Sequence, residues 1–204
     1  MEALPGRRRR RGEGPRLREE ILESAGRLLA EVGDARRLTM RAVADAAGVT
    51  PPSIYLHFAD KAVLLEALME RGFREFDELL DRAAESAVEP CDGLRARCLA
   101  YVRFGLERPG EYRVLFSAVG LGPAGLGSAG TRPHPGAASF FALVRAVEGC
   151  LGDPGPAFLR SVQLWSLLHG LVDLMITKPE FPWPPVEDVV DSALDQLGTR
   201  ASSH

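Results

Sequence analysis

The 204-residue chain contains no asparagine and only two lysines against 23 arginines, a bias of the kind that GC-rich coding imposes. No apolar run approaches the ~20 residues that cross a bilayer, so no membrane partner is expected. The opening stretch MEALPGRRRRRGEGP has no apolar segment after its positive run, which excludes a secretory signal and points to the cytosol. There are three cysteines, Cys91, Cys98 and Cys150. An odd count without a C-x-x-C pair argues against a disulfide framework or a cysteine zinc site. Cys91 and Cys98 lie seven apart and would share a helix face. They read as small buried hydrophobes, with a redox sensor as the alternative. A Gly-rich phosphate loop, a G-x-S-x-G elbow and an H-E-x-x-H pair are all missing, and there are only four histidines. The expectation is no enzyme, no cofactor and no metal. Alternating strand patterns and internal repeats are absent too, which excludes a sheet protein and a solenoid.

Hydrophobic residues make up 46% of the chain, enough for a real core. Net charge is −3, unevenly spread: residues 1–61 hold 12 Lys/Arg and 9 Asp/Glu, net +3, and the remainder is net −6. A basic head on an acidic body suggests that only the head meets a polyanion.

The apolar spacing is helical throughout, so the fold class is all-α. Residues 1–15 read as a flexible basic arm, 16–60 as a helix-turn-helix head and 61–204 as a helical regulatory and dimerisation body. Leu17, Ile21, Leu22, Ala25, Leu28, Leu29 and Val32 form the stripe of a first helix that Gly33 stops. Thr39 caps a second helix over about 40–47, and Thr50, followed by Pro51, caps a third that runs to about His57. Asp60 caps a long fourth, about 61–86. Further helices are expected at about 92–107, 111–118, 137–150, 155–177 and 185–197, with a Gly/Pro-rich loop over 120–136.

The segment TMRAVADAAGVTPPSIYLHFADK, residues 39–61, reads as two short helices joined by a tight Ala-Gly-Val turn, a helix-turn-helix. The second helix begins with small and polar groups and carries an aromatic one turn on, as a helix entering the major groove requires. Its positive dipole end also favours phosphate.

This segment resembles the TetR family of one-component bacterial regulators. Thr39, Val43, Ala44, Ala47, Gly48, Val49, Thr50, Ser53, Ile54, Tyr55, His57, Phe58 and Lys61 all match the family pattern. The resemblance is strong over residues 17–65 and mostly architectural beyond residue 90. Trp165, His169 and Gly170 also look like the W-x-x-x-H-G signature of a C-terminal domain found in part of the family. The resemblance implies phosphate contacts from Thr39 and Lys61. It places Tyr55 and His57 against the sugar-phosphate backbone, and Thr50, Pro51, Pro52 and Ser53 at base edges or their phosphates. Arg41 would reach phosphate or a guanine edge. Pro51-Pro52 departs from relatives that carry a polar residue or glycine there, which shifts readout toward Arg41, Thr50 and thymine methyls. The run Arg7–Arg11 is either a minor-groove arm or a solvated tail.

In the body, Tyr101, Phe104, Tyr112, Phe116, Phe141, Trp165, Leu168 and His169 are the candidates for lining a ligand site, among large side chains that otherwise fill the core. Trp165, His169 and Asp173 share one helix face, but no second cluster completes a metal site. The last two helices would form the dimer, with Val186, Val189, Val190, Leu194 and Leu197 as a stripe on the final one. The implied function is a repressor, a homodimer on double-stranded DNA released from a palindromic operator by a small, mostly apolar effector. The alternative is a DNA-binding regulator controlled by a protein partner or by redox state.

Overall fold

The computed structural model describes residues 13–116 and 135–198. The run Arg7–Arg11 and most of the expected loop, residues 120–134, lie outside the described residues. Helix α1 (Glu13–Val32) begins inside the stretch expected to be an arm. Pro15 sits in its first turn, where a missing N–H breaks no intrahelical bond. The helix stops as expected: Gly33 turns left-handed at φ 69° and its amide donates to the Leu29 carbonyl at 2.8 Å. Leu17, Ile21, Leu22, Ala25 and Leu29 face inward.

A 3-10 turn at Ala35–Arg37 follows, capped by Asp34, whose carboxylate accepts from the Arg36 amide at 2.8 Å. Three residues carry no readable periodicity, so the apolar spacing does not predict this turn. Helix α2 (Met40–Ala46), α3 (Pro51–Tyr55) and α4 (Lys61–Ala84) complete the head and lead out of it. Thr39 caps α2, its Oγ1 accepting from the Ala42 amide at 3.1 Å. Asp60 caps α4 in the same way through the Val63 amide at 2.9 Å. Thr50 precedes α3 without a side-chain cap bond; its hydroxyl instead pairs with Ser53 Oγ at 2.9 Å.

The body comprises α5 (Pro90–Glu107), α6 (Pro109–Phe116), α7 (Ala137–Leu151), α8 (Ala157–Thr177) and α9 (Val186–Gln196). Helix α5 is its axis: α4, α6, α7, α8 and α9 all pack against it. Glycines permit the closest approaches. A Cβ on Gly105 of α5 would lie 2.4 Å from Val172 Cγ1 of α8, and one on Gly72 of α4 would lie 2.7 Å from Leu115 Cδ2 of α6. Among the described residues there is no strand, and no helix is long and apolar enough to cross a membrane.

Two expectations need correction. The α9 stripe does not face outward: Val190, Leu194 and Leu197 are buried within the chain. Polar groups bind the same helix to α5, through Arg95 to Asp191 at 2.5 and 3.0 Å and Arg103 to Glu187 at 3.1 Å. An amphipathic stripe reveals that a face is buried, not against which partner. Helix α8 does keep an exposed apolar face, with Leu159, Leu167 and Leu174 outward and Ser166 and Gly170 between them. The second correction is at the cysteines. Cys91 and Cys150 are joined by a disulfide, because α5 and α7 bring together residues 59 apart in sequence. Cys98 is the buried hydrophobe that was expected.

Candidate functional site

The head is built around one turn. Gly48 adopts φ 66° after α2, where a side chain would be strained. Its amide donates to Asp45 O at 3.2 Å and the Val49 amide to Ala44 O at 3.0 Å. These paired bonds satisfy the last carbonyls of α2 and fix the angle at which α3 leaves. Ile54 and Phe58 anchor α3 from below, both essentially buried, and the Arg18 guanidinium of α1 lies 5.0 Å from the Phe58 ring centre. What remains outside is the leading end of α3. Thr50, Pro51, Pro52 and Tyr55 are exposed, and Ser53 is half-buried. Arg41 and Thr39 are exposed on the start of α2. Lys61 is half-buried, and its ammonium donates to the Arg36 carbonyl at 3.1 Å, tying α4 to the 3-10 turn. His57 is not exposed as expected; it is half-buried, with Nε2 shielded from solvent.

In the body, five of the eight nominated side chains converge. Tyr112 of α6 and Tyr101 of α5 both direct their hydroxyls at Nδ1 of His169 on α8, at 2.7 and 3.0 Å. Phe116 packs on Tyr101, Tyr112 and His169 with ring centres 5.0–5.6 Å apart, and Trp165 lies 6.0 Å from His169. Burial drives the ionisations toward neutrality. It lifts the Tyr112 phenol to about 12 and the Tyr101 phenol higher still, with the Tyr112 neighbour adding to the Tyr101 shift. It lowers the His169 imidazole, against the opposing pull of Asp173. A neutral imidazole accepting at Nδ1 carries its proton on Nε2. The arrangement is a closely packed aromatic group whose hydroxyls and imidazole are hydrogen-bonded to one another.

Phe104 and Leu168 are buried beside this group, Phe104 packing on Phe76 at 5.1 Å. Phe141 does not join it: the ring is 49% exposed and meets Phe140. Phe73 and Phe76 of α4, which were not among the eight, also pack on this group, each within 5.6 Å of Phe116. A separate cleft of about 490 Å³ opens between α4, α5 and α7, lined in part by Asp77, Asp81, Arg97 and Arg145, none of them nominated. Asp77 accepts a hydrogen bond from Ser139 at 2.9 Å, yet burial raises its carboxyl. Arg97 is paired with Asp81. Among the described residues no cluster of His, Cys, Asp and Glu is arranged to hold a metal ion.

The chain is similar to known proteins in both parts. Residues 21–68 match the family described as bacterial regulatory proteins, tetR family, and residues 94–197 match the tetracyclin repressor-like C-terminal domain. The HTH-type transcriptional regulator TtgR of Pseudomonas putida is 40% identical over 82 residues, 40% of this chain and 38% of that protein. The nucleoid occlusion factor SlmA of Cronobacter sakazakii is 33% identical over 101 residues, 48% of this chain and 50% of that protein. The chain thus spans between about two fifths and half of the curated relatives it matches. Among solved structures, a protein with unknown function from Rhodococcus sp. RHA1 superimposes with a TM-score of 0.71 at 26% identity, covering 96% of this chain and 97% of that one. The transcriptional regulator FadR from Bacillus subtilis, in complex with stearoyl-CoA, shares the fold at 14% identity with a TM-score of 0.67, covering 88% and 96%. With a head and a body that both match, and helices in the same arrangement, the chain belongs to the TetR family of bacterial transcriptional regulators.

Proposed function

We propose that this chain is a repressor that works in the cytosol as a homodimer and leaves a palindromic operator when a small, mostly apolar ligand enters its body. The observation that carries the DNA reading is the exposed leading end of α3, where Thr50, Pro51, Pro52 and Tyr55 stand clear of a buried anchor at Ile54 and Phe58. Thr39, Arg41, Ser53, His57 and Lys61 supply the surrounding contacts. The half-buried His57 positions α3 more than it reaches outward. Two prolines donate no hydrogen bonds, so base readout falls to Arg41, Thr50 and apolar contact. In a dimer the two α3 helices must sit about one DNA turn, ~34 Å, apart or a multiple of it. The α8 face carrying Leu159, Leu167 and Leu174 supplies an apolar seam for the second copy.

The effector reading rests on the Tyr101–Tyr112–His169 group, with Phe116 and Trp165 as walls. Helix α6 carries two of these side chains and also touches both helices that hold the head. A Cβ on Gly110 would come 3.0 Å from Ala30 Cβ of α1, and Leu115 abuts Gly72 of α4. A ligand that displaces Tyr112 therefore moves α6 against α1 and α4 together. Its effect is limited by how much better it binds the released arrangement. The test is titration of apolar aromatic compounds against the protein on its selected operator: release by at least one, lost in Tyr112→Ala, supports the reading.

A second reading has one observation in its favour, the similarity to a nucleoid occlusion factor over 101 residues, 48% of the chain. Here the body would meet a protein partner, and DNA affinity would be indifferent to every small molecule tried.

A further inference from the structure

Cys91 lies in the first turn of α5 and Cys150 in the last turn of α7, with Cα atoms 4.6 Å apart and a disulfide between them. Both residues are half-buried rather than sealed in the core. The third cysteine takes no part: Cys98 is buried and desolvation pushes its thiol up to about 12. The helix that the bond holds packs on the core mostly through half-buried side chains. Of the fifteen residues of α7, only Val147 is fully buried. Yet α7 touches both regions described above. Phe140 meets Trp165 edge-on at 5.7 Å, and Trp165 lies beside His169. Ala142, Arg145 and Ala146 line the 490 Å³ cleft, as do Pro90 and Gly149, the immediate neighbours of the two cysteines.

We propose that Cys91–Cys150 is a reversible thiol–disulfide site that sets how firmly α7 is clasped to α5, opened by a dithiol reductant and closed by a hydroperoxide. In opening, a thiolate of the reductant attacks one sulfur and the S–S bond breaks, leaving a mixed disulfide and one protein thiol. The second thiol of the reductant resolves the mixed disulfide, so the protein ends with two thiols and the reductant with one disulfide. In closing, a cysteine thiolate takes an oxygen from the hydroperoxide to give a sulfenic acid and releases hydroxide or alkoxide. The second thiol displaces water from it and re-forms the bond. The freed Cys91 thiol has an acceptor in place, the Cys150 carbonyl 3.4 Å away. Opening loosens α7 and with it the Phe140 wall behind Trp165. The consequence for operator release rests on the function proposed above; the clasp itself does not.

The full chain is compared with the disulfide closed by hydrogen peroxide and opened by a thioredoxin-type dithiol protein, reading amide exchange and the affinity for the apolar dye anilinonaphthalene sulfonate. Cys98→Ser and Cys91→Ser are run alongside. The expected result is reduction of the folded protein within minutes and exchange in α7 faster by about tenfold or more, with the head helices unchanged. Dye affinity should shift in parallel. Cys98→Ser keeps the response, and Cys91→Ser behaves as reduced protein in either condition. If Cys91→Ser does not fold, reduced wild type carries the comparison. A disulfide that resists the dithiol until the protein unfolds, or equal α7 exchange in both states, overturns the proposal. Failure to select any operator leaves the exchange comparison unaffected and counts only against the repressor reading.

Discussion

The Tyr112 hydroxyl lies 2.7 Å from Nδ1 of His169, a hydrogen bond that joins the short helix α6 to the long helix α8 inside the body. Tyr112 is almost fully buried, and its helix reaches the head through Gly110 against Ala30. This one bond thus sits between the place proposed for an effector and the helices that carry the DNA-facing surface.

Removing that hydroxyl alone should separate its role from that of the ring. Tyr112→Phe keeps the packing on Phe116 and leaves the Tyr101 hydroxyl, 3.0 Å away, as the partner of His169. The expected cost is about 1 kcal/mol in denaturant unfolding, with a weaker effector response. A loss above about 3 kcal/mol would mean that the bond holds the fold rather than tuning the site.

The histidine gives a pH dependence of definite sign. Burial lowers the His169 pKa below its ordinary 6.5, so the unfolded chain binds the proton more readily than the folded one. This contribution is whole above 6.5 and is lost as pH falls from 6.5 toward the lowered folded value. Asp77 works oppositely: its raised carboxyl weakens the fold as pH rises from 3.8 through the folded value. The difference between wild type and His169→Gln isolates the histidine. Melting temperatures should drop more for wild type than for the variant between pH 7.5 and 5.5; parallel curves would contradict the assignment.

Two glycines test the packing in opposite directions. At Gly105 a methyl would meet Val172, a stiff β-branched side chain 2.4 Å away, so Gly105→Ala should destabilise by about 1–3 kcal/mol. At Gly170 nothing lies within 4 Å of a new Cβ, so in the lone chain Gly170→Ala should gain up to about 1 kcal/mol of helix stability. Gly170→Arg places a charge on the α8 face proposed for the partner copy. Sedimentation should then show monomers with unchanged helical circular dichroism, and a persistent dimer would move the interface elsewhere.

The head turn depends on Gly48 at φ 66°, with open space where a side chain would go. Gly48→Ala should therefore cost about 1 kcal/mol through backbone strain alone. It should also lower DNA affinity by tilting α3, while leaving dye binding in the body unchanged.

Much of this was legible in the sequence because its signals are local. The stripe from Leu17 to Leu29, the caps at Thr39 and Asp60, and the Ala-Gly-Val turn each fix their own element within a few residues. The matched pattern from Thr39 to Lys61 then identified the head. What was not legible is set by tertiary neighbours. Tyr101, Tyr112 and His169 were nominated as pocket lining, but their shared hydrogen bonding joins residues as far as 68 apart. Phe141 was nominated with them because an apolar aromatic on a helix does not announce which face it takes. The α9 stripe marks a face that must be buried but does not name α5 of the same chain as its cover. The disulfide escaped for the same reason, since only the meeting of α5 and α7 selects Cys91 and Cys150 over Cys98.

On the proposed function the leading end of α3 meets a palindrome, with Tyr55 holding it against the sugar-phosphate backbone. The most direct measurement is selection of bound duplexes from a random pool at about 150 mM salt, with wild type and Tyr55→Ala in parallel, since phosphate attraction alone is strongly screened there. A two-fold symmetric motif should be enriched by wild type and lost or much weakened in Tyr55→Ala. Enrichment of no motif by wild type, or of the same motif equally by both proteins, would contradict this reading.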